Sequence, residues 1–195
     1  MFGDTVKVNY VIIFTLNATE YLVIKLRKLT LNSLLISLAL VLSLVERFIP
    51  LNLIVPVPGI KLGLANIVTI FALFYLGIPS AITITVLRCV LASLLFGGMS
   101  SLLYSLSGAF FALVLMIILK TGYEKTFSLT GISMGGAVAH NTGQIVAASI
   151  MMKNTAIFAY LPILLITGLG TGLLTAIISM NLFLIFEKTN RVKLT

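Results

Sequence analysis

The ten residues GGAVAHNTGQ, Gly135 to Gln144, lie inside an apolar run that extends from about Ile132 to Met152. A run of this length can cross a bilayer, for which an α-helix needs ~20 residues. It contains the chain's single histidine, His140, together with Asn141 and Gln144. Polar side chains at membrane depth are costly, and they persist where they face a bundle interior, a partner or a water-filled cavity. The stretch predicts a membrane helix with a buried polar face.

Helical spacing divides these polar residues between two directions. His140 and Gln144 share one face because they are four positions apart, and Asn141 points about 100° away from His140. Small-residue packing with one interhelical hydrogen bond, which is common in membrane bundles, would account for the pattern. Three amide or imidazole side chains so close together favour a ligand-facing surface instead.

Composition places the whole chain among membrane proteins. Of its 195 residues, 59% are hydrophobic and 9% are charged, whereas a soluble domain carries about 25% charged residues. The net charge is +8, with the basic residues between the apolar runs, so we expect them to set topology rather than to bind nucleic acid. The prediction is an all-α integral membrane protein that forms one helical bundle in the lipid bilayer.

The apolar runs predict about six transmembrane helices. Pro50, Gly77-Ile78-Pro79 and Gly97-Gly98 separate several of them, because proline cannot continue a helix and glycine supplies a turn. A non-spanning N-terminal extension (1–28) precedes the membrane domain (29–188), and a basic tail (189–195) follows it. The predicted spans are residues 31–49, 62–76, 80–96, 101–119, 132–152 and 157–186.

The distribution of positive charge predicts the orientation. Cytoplasmic loops of membrane proteins are enriched in Lys and Arg. An arrangement with both termini in the cytoplasm leaves only Arg47, Lys61 and Lys153 on the outer side of the plasma membrane. The basic residues it collects inside are Lys25, Arg27, Lys28, Lys120, Lys125, Lys188, Arg191 and Lys193.

Arg88, near the middle of the third predicted span, has the highest expected free-energy cost of membrane insertion in the chain. A central arginine costs about 2.5–3.5 kcal/mol on insertion scales, so it needs a partner or water. It predicts either an ion pair with Glu46 or a fork that binds a carboxylate or phosphate of a ligand. Lys61 is either an ordinary snorkelling lysine or part of the same site. We predict a substrate pocket, open to the outer leaflet, formed by Glu46, Lys61, Asn66, Arg88, His140, Asn141 and Gln144.

The sequence lacks the residues of a stand-alone enzyme. Asp4 is the only aspartate, and there is no P-loop, no Cys/His metal cluster and no Ser/His/Asp set in the membrane portion. Gly168 to Gly172 (GLGTG) superficially resembles a dinucleotide loop, but it lies inside an apolar run, which favours helix packing. We expect no catalytic residue, no metal and no cofactor.

Four segments in order resemble the Gx transporter family, also labelled heptaprenyl diphosphate synthase component I. They are Pro58–Asn66 (PGIKLGLAN), Arg88, Ser107-Gly108 and Gly135–Gln144, and the resemblance covers about residues 29–185. That family in turn resembles the S components of energy-coupling factor (ECF) transporters, which are six-helix bundles that bind vitamins near the outer face. The resemblance implies a substrate-capture subunit that works with a transmembrane coupling protein and two ATPase subunits.

The enzyme label implies a different role, in the elongation of a prenyl diphosphate for menaquinone. Because metal-diphosphate chemistry needs carboxylates that this chain lacks, such a role would be that of an accessory subunit. We favour transport, and Arg88 and Lys61 with His140 favour an anionic or amphipathic substrate, such as a carboxylated or phosphorylated cofactor or an isoprenoid precursor. A purely structural membrane subunit is the third alternative, which Arg88 and His140 disfavour.

Overall fold

The computed structural model describes residues 2–49 and 61–189, and all regular elements in these ranges are helical. Helix α1 is Phe2–Arg47, α2 is Asn66–Tyr75, α3 is Ile78–Phe96, α4 is Met99–Lys120, α5 is Leu129–Met152 and α6 is Leu161–Thr189. A short 3₁₀ helix, Thr155–Tyr160, precedes α6. The predicted all-α membrane fold is confirmed.

Four of the described helical segments are long and apolar enough to cross a bilayer: Glu20–Arg47, Ile78–Phe96, Met99–Lys120 and Thr155–Ile185. Helix α2 has 10 residues, which extend ~15 Å at 1.5 Å per residue, about half of a ~30 Å hydrocarbon core. Helix α5 has 24 residues, but its histidine and amide side chains lower its hydropathy. The predicted number of six spans is therefore not confirmed.

Helix α1 is continuous from Phe2 to Arg47. The chain contains no glycine or proline between Gly3 and Pro50, so no residue favours a break there. The predicted boundary at residue 28 lies within this helix. The chain forms two compact units, residues 1–34 and residues 35–195, and the second contains all the predicted site residues.

Glycine and proline end the helices of the second unit where the sequence predicts it. Gly77 adopts a positive φ of 84° before α3, which carries Pro79 in its first turn. Gly97 and Gly98 separate α3 from α4. Residues 50–60 of the predicted proline-rich loop, and residues 190–195 of the predicted tail, lie outside the described residues.

Helix α5 packs between α4 and α6, and small residues bring the three helices close together. A Cβ added at Gly143 would lie 2.8 Å from the backbone oxygen of Ser107 on α4. A Cβ added at Gly172 would lie 2.6 Å from Cα of Met134. The glycines of the GLGTG stretch thus belong to α6, as the helix-packing interpretation predicts.

Candidate functional site

A short irregular segment, residues 61–65, leads into α2 and is held by two side chains from other helices. The Lys61 N–H donates to Oε1 of Gln144 on α5, at 3.1 Å. The Leu64 N–H donates to Oε1 of Glu46 at the end of α1, at 2.6 Å. These bonds satisfy backbone donors that have no helical partner, which is why polar side chains are needed at this depth.

Gly63 lets this segment lie directly against two of the predicted site residues. Its φ of +88° is in the left-handed region that favours glycine. A Cβ at this position would lie 2.9 Å from Nδ2 of Asn66 and 3.2 Å from Cδ2 of His140. Gly63 therefore brings the start of α2 close to the polar face of α5.

Arg88 is bound to an amide rather than directly to a carboxylate. Its Nη2 donates to Oδ1 of Asn66 at 3.0 Å, and its side chain is only 4% exposed. Glu46, the partner expected for an ion pair, instead accepts the Leu64 N–H. Within the described part of the chain, Nε of Arg88 and Nδ2 of Asn66 have no hydrogen-bond partner. Two buried donors thus remain available to an acceptor.

The shared face predicted for α5 is present. Nε2 of His140 and Nε2 of Gln144 lie 3.0 Å apart, and both side chains are buried. Asn141 points elsewhere: its Nδ2 donates to the backbone oxygen of Leu164 on α6 at 2.6 Å. A Cβ at Gly168 would lie 2.8 Å from the same nitrogen, so Asn141 occupies the close contact between α5 and α6.

The structure thus gathers six of the seven predicted residues and leaves Asn141 apart. We call these six the polar cluster: Glu46, Lys61, Asn66, Arg88, His140 and Gln144. Lys61 is half-buried and the other five are buried. Burial lowers the pKa of Lys61, and attraction to Glu46 partly opposes this. Ligand binding by these residues remains a prediction.

Two residues of α4 contact the part of α5 that carries His140 and Gln144. Neither residue belongs to the site predicted from the sequence. Ser107 donates from Oγ to the backbone oxygen of Gly143 at 2.7 Å. A Cβ at Gly108 would lie 2.8 Å from Cγ of Gln144 and 3.0 Å from Cε1 of His140. A Ser-Gly pair within an apolar helix is the sequence signal for such close packing.

A separate groove of about 600 Å³ contains none of the polar cluster. It lies between the turn after α4 and the end of α6, where its walls include Tyr123, Phe127, Met180 and Phe183.

Among the described residues, no group of three or more His, Cys, Asp or Glu side chains is placed to hold a metal ion.

A family model described as heptaprenyl diphosphate synthase component I matches residues 35–182. The matched region includes every residue of the polar cluster. No curated protein and no solved structure matches the chain.

Proposed function

Because the chain belongs to the heptaprenyl diphosphate synthase component I family, we propose that it is a membrane subunit whose polar cluster binds a small molecule. The proposed ligand is anionic or amphipathic: a carboxylated or phosphorylated cofactor, or an isoprenoid-related compound. The observation that carries this proposal is the pair of buried donors, Nε of Arg88 and Nδ2 of Asn66, that have no partner among the described residues.

Buried donors without an acceptor are costly, at about 1–3 kcal/mol each and more for charged groups. A carboxylate or phosphate can accept from a guanidinium and an amide at once, with charge-assisted bonds. Lys61 adds a second positive charge at the same end of α2. A ligand anion would therefore remove the cost that the ligand-free cluster carries.

The role we favour is that of a substrate-binding subunit similar to the S component of an ECF-type importer. In this role the chain lies in the plasma membrane with both termini in the cytoplasm. It delivers its ligand through a transmembrane coupling subunit driven by two ATPase subunits. The chain's shortage of aspartates supports a binding role over a catalytic one.

The family description supports a second candidate, a membrane accessory component of heptaprenyl diphosphate synthase in menaquinone side-chain synthesis. In that case the metal-diphosphate chemistry would belong to another subunit. The two candidates differ in the partner: a coupling subunit with ATPases in one case, a prenyl diphosphate synthase subunit in the other.

Native mass spectrometry of the protein extracted from its own membrane tests both candidates. The transport proposal predicts a bound small acid together with a coupling subunit and ATPases. The Arg88→Met variant, prepared in parallel, should lose the small acid and keep the protein partners. Recovery of a prenyl diphosphate synthase subunit, with no coupling subunit, would contradict transport and support the accessory role.

A further inference from the structure

Gln144 makes two contacts that together fix the orientation of its amide. Its Oε1 accepts from the Lys61 N–H at 3.1 Å. A backbone N–H can only donate, so the atom facing Lys61 must be the amide oxygen. The atom 3.0 Å from Nε2 of His140 is therefore the amide nitrogen, and the usual ambiguity of an amide flip does not arise.

The orientation of this amide in turn fixes the proton on His140. An amide nitrogen donates and does not accept, so Nε2 of His140 must be the acceptor and carry no proton. A neutral imidazole then carries its proton on Nδ1, whereas a doubly protonated ring has no acceptor for the Gln144 amide. The contact selects the neutral tautomer with Nδ1–H.

Asn66 is fixed by the same logic. Its Oδ1 accepts from Nη2 of Arg88 at 3.0 Å, so its Nδ2 is a donor. Nδ1 of His140, Nδ2 of Asn66 and Nε of Arg88 are all buried without a hydrogen-bond partner among the described residues. The backbone of Gly108 on α4 also interacts with the His140 imidazole, although this contact does not meet hydrogen-bond geometry at Nδ1.

These three groups belong to one neighbourhood. Asn66 and His140 both face the position that a Cβ of Gly63 would occupy, and Arg88 is bound to Asn66. With His140 in the Nδ1–H form, all three are donors. With the opposite tautomer, Nδ1 would be an acceptor and would favour a ligand that brings a proton of its own.

We infer that Gln144 is a positioning residue that sets ligand specificity, because it holds His140 in the Nδ1–H tautomer and makes the polar cluster a set of donors. The cluster then takes a ligand group that only accepts hydrogen bonds, a carboxylate or phosphate oxyanion. This inference rests on the proposed binding function, but the tautomer itself is measurable in the ligand-free protein.

Nuclear magnetic resonance of protein labelled with ¹⁵N-histidine tests the inference directly, because His140 is the only histidine in the chain. Correlation with the two ring carbon-bound protons distinguishes Nε2 from Nδ1. We expect a protonated Nδ1 and an unprotonated Nε2 at neutral pH, without ligand. A protonated Nε2, or a doubly protonated ring, would overturn the inference.

Two variants test whether Gln144 is the cause. Gln144→Met removes the amide donor, so both tautomers should become populated. Gln144→Glu supplies a carboxylate that accepts from Lys61 and from His140, so the proton should move to Nε2. Thr142→Val is the matched control, because the Thr142 hydroxyl donates to the backbone oxygen of Val138 within α5, and it should keep the wild-type spectrum.

An unchanged Nδ1–H tautomer in the Gln144 variants would overturn the assigned role. If Gln144→Met does not fold, the wild-type spectrum and Gln144→Glu still decide. The expected tautomer in a protein that binds no acid at all would count against the proposed function and leave only the control of the His140 tautomer by Gln144 in place. The two failures are therefore distinguishable.

Discussion

At the scale of single residues, the polar cluster is organised by unequal numbers of donors and acceptors. Arg88 brings only donors into the bundle, and Asn66 Oδ1 accepts just one of them. Glu46, the nearest carboxylate expected from the sequence, is bound to the backbone of Leu64. The ligand-free site therefore has more buried hydrogen-bond donors than acceptors, and removing Arg88 tests this imbalance.

Replacing Arg88 with Met should separate stability from binding. The variant removes the desolvation cost of a buried charge, and it also leaves Oδ1 of Asn66 without a donor. Because we expect the first effect to equal or exceed the second, the melting temperature in detergent should stay the same or rise. Loss of a charge-assisted bond should weaken binding of the co-purified acid by about 1.5–3 kcal/mol, roughly ten- to a hundredfold. Arg88→Lys keeps the charge but lacks the forked guanidinium, so its affinity for the acid should lie between those of the wild type and Arg88→Met. Unchanged affinity with a lower melting temperature would assign Arg88 a purely structural role.

Gly63 should be intolerant of even a methyl group. Its φ of +88° is strained for alanine, and the added Cβ would meet Nδ2 of Asn66 at 2.9 Å. We expect Gly63→Ala to lower the free energy of unfolding by more than about 1 kcal/mol. Gly170→Ala is the matched control: it lies in α6 with no atom within 4 Å of the new Cβ, so it should be neutral or stabilising. Thermal melts of both variants measure the difference, and equal melting temperatures would contradict it.

At the scale of elements, α2 stands out because it is too short to span and is almost entirely buried. Its N-terminal end begins at Asn66 in the polar cluster. Near its other end, Nζ of Lys120 donates to the backbone oxygen of Leu73 at 2.6 Å and lies 4.9 Å from the ring centre of Phe74. A positive charge satisfies a carbonyl that the helix itself leaves free, where the helix dipole also favours a cation.

Removing this cap should loosen α2. We expect Lys120→Met to cost about 1.5–3 kcal/mol of stability, the range for a hydrogen bond to a charged group, and to speed amide exchange in α2 measured by hydrogen–deuterium mass spectrometry. Lys120→Arg should restore most of the protection. Lys125→Met, at an exposed position in the following turn, is the control and should change neither quantity. Unaltered exchange in α2 of the Lys120→Met variant would show that the cap is dispensable.

At the scale of the whole molecule, the position of α5 explains how polar residues are accommodated. α5 lies between α4 and α6, and His140, Asn141 and Gln144 are buried. The amide and imidazole groups therefore meet protein rather than lipid, which is the condition for keeping them at membrane depth. A helix in this position does not need the high hydropathy of the four apolar spans.

Orientation in the membrane is a prediction at this same scale. On a Cys89→Ser background, we expect a membrane-impermeant thiol reagent to label Asn154→Cys in intact cells. Lys125→Cys should react only after the cells are opened, because the distribution of positive charge predicts that the turn after α4 is cytoplasmic. Labelling of Lys125→Cys in intact cells would reverse the orientation.

Much of the architecture follows from the sequence alone. Apolar runs, the breaks at Gly77 and Gly97, and the shared face of His140 and Gln144 obey local rules of length, backbone conformation and helical period. The family resemblance, based on short motifs in order, is confirmed by the match over residues 35–182. These features need no knowledge of which helices are neighbours.

Tertiary structure alone decided which groups meet. An ion pair with Glu46 is one of the two roles that the sequence predicts for Arg88. In the fold Arg88 meets Asn66, and Glu46 and Gln144 hold the backbone that leads into α2. Asn141 turned to α6 because a rotation of about 100° along a helix points it at a different neighbour. Such contacts depend on how helices pack and on where glycine permits close approach, and both are set by residues far apart in the chain.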